Sequence, residues 1–383
     1  MTADSVGGAD DIDTDVVVVG AGLMGAATTW ELARRGVSVA LVEALEPGHL
    51  RGSSHGSSRI FRRAYPDPLY VTMTGHAREL WRELELDTGA ALLTETGGLD
   101  HGRHRDPDAM AAALGAEGVP CEVLTAAAAS ERWPQMRFAG PVLYHPEAGV
   151  VDADATVAAC VASAVARGAQ LFTATAVTDV EVAGGRARVR TAGGPTFTAD
   201  RVVVAAGAWL PHLAGSLGVP LELPPLQVSQ QQVFHFRQRD PAEQWPIFVH
   251  KHDLQTFGLP SGADGGPQPA IKVGQHDGGT PATVLDRTGI VDPAARDRMV
   301  DHVSRWLPGL DPRPVAEVTC LYTTTPTDDF VLDRVGPVVI ASPCSGHGAK
   351  FTPLIGAMAA DLALGTAAPE PRFRLPSRTV AAR

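Results

Sequence analysis

The chain has 383 residues, 44% of them hydrophobic, and a formal net charge of −11. That length allows two domains or one large α/β body with insertions. The acidic balance, without any basic block, argues against nucleic acid as a partner, and no apolar run approaches the roughly 20 residues that cross a membrane.

Residues 1–14 are polar and acidic, match no signal peptide, and are expected to be the disordered lead of a cytoplasmic protein. Four valines at 16–19 then read as a strand buried on both faces. Gly20, Gly22 and Gly25 follow as G-x-G-x-x-G. The first permits a tight turn, the second lets a pyrophosphate approach the backbone, and the third lets the next helix pack on the strand. That helix is expected to end near Gly36, with its N-terminal N–H groups facing phosphates. A second strand over 37–42 ends at Glu43, placed to accept hydrogen bonds from ribose hydroxyls. Strand, glycine turn, helix, strand and acid in this order point to dinucleotide binding, and Glu43 favours FAD or NAD over NADP.

The polar, glycine-rich loop 46–59 lies at the carboxyl end of that strand, where open α/β sheets bind ligands. A helix is expected over 68–86, an extended stretch over 92–99, and short helices near 108–114 and 126–131. A helix over 156–167 is capped by Asp152 or Asp154. Short strands at 170–174, 176–182, 187–190 and 196–198 lead to a buried strand over 201–209, in which Gly207 permits close approach to a ligand. Stretches 227–236, 256–259, 271–274 and 318–325 read as one antiparallel sheet, with a Gly- and Pro-rich loop at 260–269 and a helix at 293–306. Strands at 330–332 and 338–341 and a glycine-rich turn precede a helix over 348–364. This interrupted order suits a flavin domain better than an NAD domain, where β-α-β units run on. The expected class is α/β, a Rossmann-like FAD-binding domain with a second, antiparallel-sheet substrate domain. The first takes residues 15–90, 145–220 and 320–370, and the second 91–144 and 221–319. Cys121, Cys160, Cys320 and Cys344 lack C-x-x-C spacing, so neither a zinc site nor a disulfide framework is indicated.

Four stretches carry a resemblance. They are the dinucleotide motif, Gly52-Ser-Ser-His-Gly-Ser-Ser-Arg-Ile-Phe-Arg-Arg-Ala-Tyr65, Ile271-Lys-Val-Gly-Gln-His276, and Thr319-Cys-Leu-Tyr-Thr-Thr-Thr-Pro-Thr-Asp-Asp-Phe-Val-Leu-Asp333 continuing to Ser345-Gly-His-Gly-Ala-Lys-Phe351. Together they resemble the monomeric sarcosine oxidase and N-methyltryptophan oxidase family of flavin amine oxidases, within the D-amino acid oxidase superfamily. The resemblance runs from Asp15 to about Gly365. It implies oxidation of secondary amino acids, N-methyl or cyclic, by hydride transfer to N5 of FAD. An imine leaves, and dioxygen becomes hydrogen peroxide. The implied partners are a small amino acid and O2, and the implied state is a monomer.

The resemblance also implies roles. Cys320 forms a thioether to the 8α-methyl of FAD, with Cys344 as the rival attachment point. Lys272 sits by the flavin ring and promotes its reaction with oxygen, and His276 lines the same site. The strand pattern alone also allows a solvated lysine at Lys272. Arg62 and Lys350 hold the substrate carboxylate, while Arg59 lies by the flavin; as bare pattern, the arginines would equally suit a helix face, with Arg63 its surface member. Ser53, Gly207, Gly346, Gly348 and Lys350 join the cofactor set. His347 opens the last helix toward the ring, and Tyr322 and Tyr65 are candidate walls. Phe257 stands where the family has a tyrosine, and Ala349 where it has a phenylalanine, so the pocket is expected to be larger and drier and sarcosine itself a poorer fit. Two alternatives stay open: a biosynthetic oxidase or desaturase of a proline- or pipecolate-like imino acid, and a flavin-binding protein without turnover.

Overall fold

The computed structural model describes residues 11–376. The first strand, Asp11–Val19, pairs in parallel with Val39–Val42 on one side and with Thr196–Val204 on the other. Gln170–Phe172 extends the sheet beyond Val39–Val42. The far edge of Thr196–Val204 is shared. Its first half takes the hairpin strand Arg186–Thr191 antiparallel, and its last three residues take Val338–Ser342 in parallel. Val331–Val335 closes that side. The two-sided apolar strands are buried between helices, as parallel sheets require. Leu23–Arg34 packs on Thr352–Leu364 and Ala153–Ala166. Gly25 and Gly356 make this possible: a Cβ at Gly25 would collide with the Gly20 carbonyl, and one at Gly356 would lie 2.8 Å from Ala27 C.

The second sheet has nine strands. The four expected stretches join it as Gln227–Gln238, Gln255–Pro260, Ala270–Gln275 and Leu310–Thr324, all antiparallel. Gly98–His101 adds to its far side next to Ile247–Lys251, and that pair is parallel, so the sheet is mixed rather than wholly antiparallel. A third sheet of three short strands, Arg59–Phe61, Leu93–Glu95 and Gly149–Val151, bridges the two larger ones.

Several expectations change. Asp11–Thr14 are strand, not a disordered lead; their carboxylates reach across to Arg186 and Arg188, which explains an acidic strand start. Residues 1–10 of that lead lie outside the described residues. The expected strands at 196–198 and 201–209 are one strand that ends at Val204, and Gly207–Trp209 is a single 3₁₀ turn. Arg59 and Arg62 lie on or beside a strand, not on a helix face. The expected domain boundary at 319/320 falls inside Leu310–Thr324, because that strand pairs with Gln227–Gln238 over its whole length. The helix expected over 156–167 starts three residues earlier, as Ala153–Ala166, because its cap is Asp152, which accepts from Ala155 N at 2.9 Å; the helix expected over 293–306 holds as Pro293–Trp306, opened by Asp292. Among the described residues no helix is long and apolar enough to cross a membrane.

Candidate active site

One cavity of about 780 Å³ runs between the parallel sheet and the second sheet, near the upper end of the roughly 300–1,000 Å³ usual for ligand pockets. Gly20, Gly22, Glu43, Ser53, Arg59, Arg62, Gly207, Phe257, Lys272, His276, Cys320, Tyr322, Gly346, His347, Gly348 and Lys350 all line it. The chain thus gathers residues more than three hundred positions apart. Gly25 is absent from the lining; its task is packing beneath the turn. Tyr65 is absent too and stands behind His347.

At one end the glycine turn forms a cradle. Gly20 adopts φ +98, and a Cβ there would lie 2.7 Å from Ala205 O; one on Gly22 would lie 2.8 Å from Ser54 Oγ. Glu43 is buried and accepts from Ala21 N at 2.7 Å and Leu45 N at 2.8 Å. It therefore fixes the turn as well as facing the cavity. Gly207 has φ +51 and nothing within 4 Å of a notional Cβ, so the residue is glycine for its backbone angle and not for close packing.

The loop after Val39–Val42 crosses to the second sheet. Ser53 donates to Leu321 O at 2.6 Å, beside Cys320. Arg59 donates back to the loop carbonyls of Ser53, His55 and Ser58. Arg287 donates to Thr319 O at 2.8 Å and Arg51 O at 2.7 Å, binding the same loop to the same strand. Burial raises the Cys320 thiol, while Arg59, Lys272 and Arg287 work against that rise. Burial also raises Cys344, where the neighbours that oppose the rise are the hydroxyls of Ser342 and Thr323.

Lys272 projects from Ala270–Gln275 and is 3% exposed. Its Nζ donates to Asp264 Oδ2 at 2.5 Å and to Ser58 O at 3.2 Å. Burial, then repulsion from Arg59, lowers its pKa to about 8 despite Asp264. Burial pushes against the Asp264 carboxylate, but Lys272 and Ser57 outweigh it and hold it below the usual value. Ser57 Oγ donates to Asp264 Oδ1 at 2.8 Å. Asp264 lies in the Gly- and Pro-rich insert that sequence reasoning read only as a loop, and one acid among glycines gives no signal of its partner.

Beyond Lys272 the walls change character. Gly346 takes φ +72, and a Cβ there would meet the rings of Tyr322 at 2.5 Å and His276 at 2.9 Å. A Cβ at Gly348 would collide with Pro343 O. Lys350, in the 3₁₀ turn Gly348–Phe351, donates to His347 O at 2.7 Å and has its pKa driven well down by burial and then by Arg62. Arg62 stacks over the Tyr65 ring at 4.5 Å, donates to Ala64 O, and stands 4.0 Å from the buried Asp100. Arg63 turns away to Glu147, at 2.6 Å. It is only 12% exposed, so it is a partnered side chain rather than a free surface one.

His347 is held at both ring nitrogens. Its Nε2 lies 3.0 Å from Asp328 O, which can only accept, so Nε2 carries the proton. Nδ1, 3.0 Å from Tyr65 Oη, is then the acceptor. Both nitrogens are engaged and burial lowers the pKa to about 3, which favours the neutral imidazole. Burial, then Lys251, Arg62 and Lys350, lowers His276 to about 4. Sequence reasoning missed Lys251, Asp264 and Arg287; each is a lone charge whose meaning depends on strands distant in the chain.

The model of the FAD dependent oxidoreductase family matches residues 15–362. A monomeric sarcosine oxidase of Streptomyces avermitilis is 36% identical over 377 residues, covering 92% of this chain and 94% of that protein. An N-methyl-L-tryptophan oxidase of Yersinia pestis is 28% identical, covering 91% and 94%. The structure of NikD, described as an unusual amino acid oxidase essential for nikkomycin biosynthesis, superposes with a TM-score of 0.85 at 26% identity, covering 97% of this chain and all of that one. The cavity fits FAD on its own geometry. Glycines that admit no Cβ, Gly20 and Gly22 from the first turn and Gly346 and Gly348 from the last, line it together with residues of both sheets.

Proposed function

The chain belongs to the FAD-dependent oxidoreductase family, and on that premise we propose that it is an FAD-dependent oxidase of secondary amino acids, with the cofactor held covalently by Cys320. When bound, FAD would supply two-electron oxidising power: the amine would give up a hydride from the carbon beside nitrogen and a proton from nitrogen to leave an imine, and O2 would take up the two electrons and two protons as hydrogen peroxide. Gly20 and Gly22 would receive its pyrophosphate and Glu43 its ribose. Gly207, Gly346, Gly348, Ser53 and Arg59 would hold its ring. Burial raises the Cys320 thiol, and Arg59, Lys272 and Arg287 oppose that rise toward the thiolate, the form that makes the thioether; Cys344 has no such cations acting on it.

Arg62 and Lys350 receive the substrate carboxylate, and its arrival restores the charged form of Lys350 that burial suppresses. Phe257, Tyr322 and the space left by Ala349 form an apolar wall around the amine. Lys272 supplies a cation for the reaction with oxygen in a site with little water. His347 supports the Lys350 turn.

The observation that carries this reading is the meeting, in one cavity, of the glycine cradle, Cys320, Lys272 and the pair Arg62 and Lys350. The test is to purify the protein, record its spectrum, and screen N-methyl and cyclic amino acids for peroxide. A colourless protein that cannot be reconstituted with FAD overturns the reading. Bound flavin that no amine bleaches without oxygen would favour a binding protein instead. The likeness to NikD, together with Phe257 and Ala349, favours a second reading, a biosynthetic oxidase of a cyclic imino acid. Faster turnover of pipecolate-like than of N-methyl substrates would select it. Cytoplasmic location and a monomeric state belong to this proposal.

A further inference from the structure

Arg62 is not alone at the substrate end of the cavity. Lys251, the last residue of Ile247–Lys251, lines it as well. Its backbone is fixed in place. The Lys251 carbonyl accepts from His104 N at 3.0 Å, and Gly102 at φ +111 leaves no room for a Cβ against that carbonyl. Its side chain is half-buried. Burial and repulsion from Arg105 and Arg62 act on it more strongly than the attraction of Asp100 and Asp277.

The charges around it do not balance. Arg62, Arg105 and Lys251 share one buried carboxylate, Asp100, and Lys350 joins Arg62 and Lys251 around His276. Arg105 is directly paired to Asp100, which is also the nearest anion to Arg62. Asp277 and Asp328 are exposed at the rim. A single substrate carboxylate between Arg62 and Lys350 leaves the Lys251 ammonium without an anion. Holding a half-buried cation without an ion pair is costly, and in a binding cavity the ligand is the natural source of the missing charge.

We propose that Lys251 determines specificity and that the substrate is a secondary amino acid with a second carboxylate, on its side chain or on its nitrogen substituent. This rests on the amine-oxidase reading above. Val249, Phe257 and Tyr322 line the same cavity as these cations, so the segment joining the two acids is methylene-like.

The experiment uses the flavin-loaded protein. N-methylglutamate carries its second acid on the side chain, and N-(2-carboxyethyl)glycine carries it on the nitrogen. Each is compared with its carboxamide, by anaerobic flavin bleaching and by kcat/KM. The expected preference for one of the diacids is about tenfold or more, equivalent to one charge-assisted contact. Lys251→Met collapses the ratio toward one, and Lys251→Arg keeps it. A second arm needs no turnover: oxydiacetate and methoxyacetate are titrated against the flavin spectrum, and the diacid is expected to bind at least tenfold tighter. Equal affinity for the two, or a ratio that Lys251→Met leaves unchanged, overturns the proposal. If no amine bleaches the flavin, the oxidase reading fails, while the affinity arm still decides the role of Lys251.

Discussion

Lys272 keeps its charge near neutral pH because Asp264 stands beside it. Burial and Arg59 bring its pKa to about 8, well below that of a free lysine. A step that needs the ammonium is therefore complete below pH 8 and fades as pH rises through that value. Mixing the anaerobically reduced protein with oxygen in a stopped-flow instrument should show a reoxidation rate that falls above about pH 8. Asp264→Asn removes the supporting anion, so the midpoint should move lower. Lys272→Met should slow reoxidation by about 10²–10³-fold and erase the pH step. A wild-type profile flat from pH 6 to 10 would refute this. The thioether belongs to the same scale. Acid precipitation should leave the wild-type pellet yellow and the Cys320→Ser pellet colourless; if Cys344→Ser is the one that loses colour, the attachment is at Cys344.

At the scale of elements, glycines set what can approach what. The turns at Gly25 and Gly348 admit no Cβ without moving a carbonyl. Gly25→Ala and Gly348→Ala should each cost about 1–3 kcal/mol through overpacking, seen as a lower Tm and a lower flavin content. Gly115→Ala in the helix Pro107–Ala116 is the control: nothing lies within 4 Å of a Cβ there, and stability should hold or rise. The same elements show what a sequence discloses. Helices with an Asp cap and Pro in the first turn, Pro68–Thr88 and Pro293–Trp306, are readable because the signals are local. The mixed second sheet is not, because the pairing of Gly98–His101 with Ile247–Lys251 spans more than a hundred residues and leaves no periodic trace. Most of the motif-borne residues line the cavity, Gly25 and Tyr65 excepted, since their motifs specify turns. Asp264, Lys251 and Arg287 were illegible, since each acts on a partner that only the fold brings near.

The whole molecule buries several neutral imidazoles. Burial lowers His302 and His145 to about 4, His101 to about 3 and His250 to about 2. His101 and His250 stack at 4.3 Å. With folded values below the unfolded value of about 6.5, the unfolded chain takes up protons first as pH falls. Their stabilisation is therefore present above pH 6.5 and is lost on acidification toward 4, at up to about 1.4 kcal/mol per unit for each group. Thermal melts at pH 7, 5.5 and 4.5 should fall steeply, and His250→Phe should flatten part of that slope; an unchanged slope would exclude the cluster as the cause.

The shared edge of Thr196–Val204 reaches into how the protein is made. Residues 202–204 bond to Val338–Ile340, so a growing polypeptide holds that half-edge bare while positions 205 to 337 leave the ribosome. The cavity that gathers Gly20 with Gly346 and Gly348 is therefore complete only after that late strand and the turn behind it have emerged. Until then the bare edge is what a chaperone would guard.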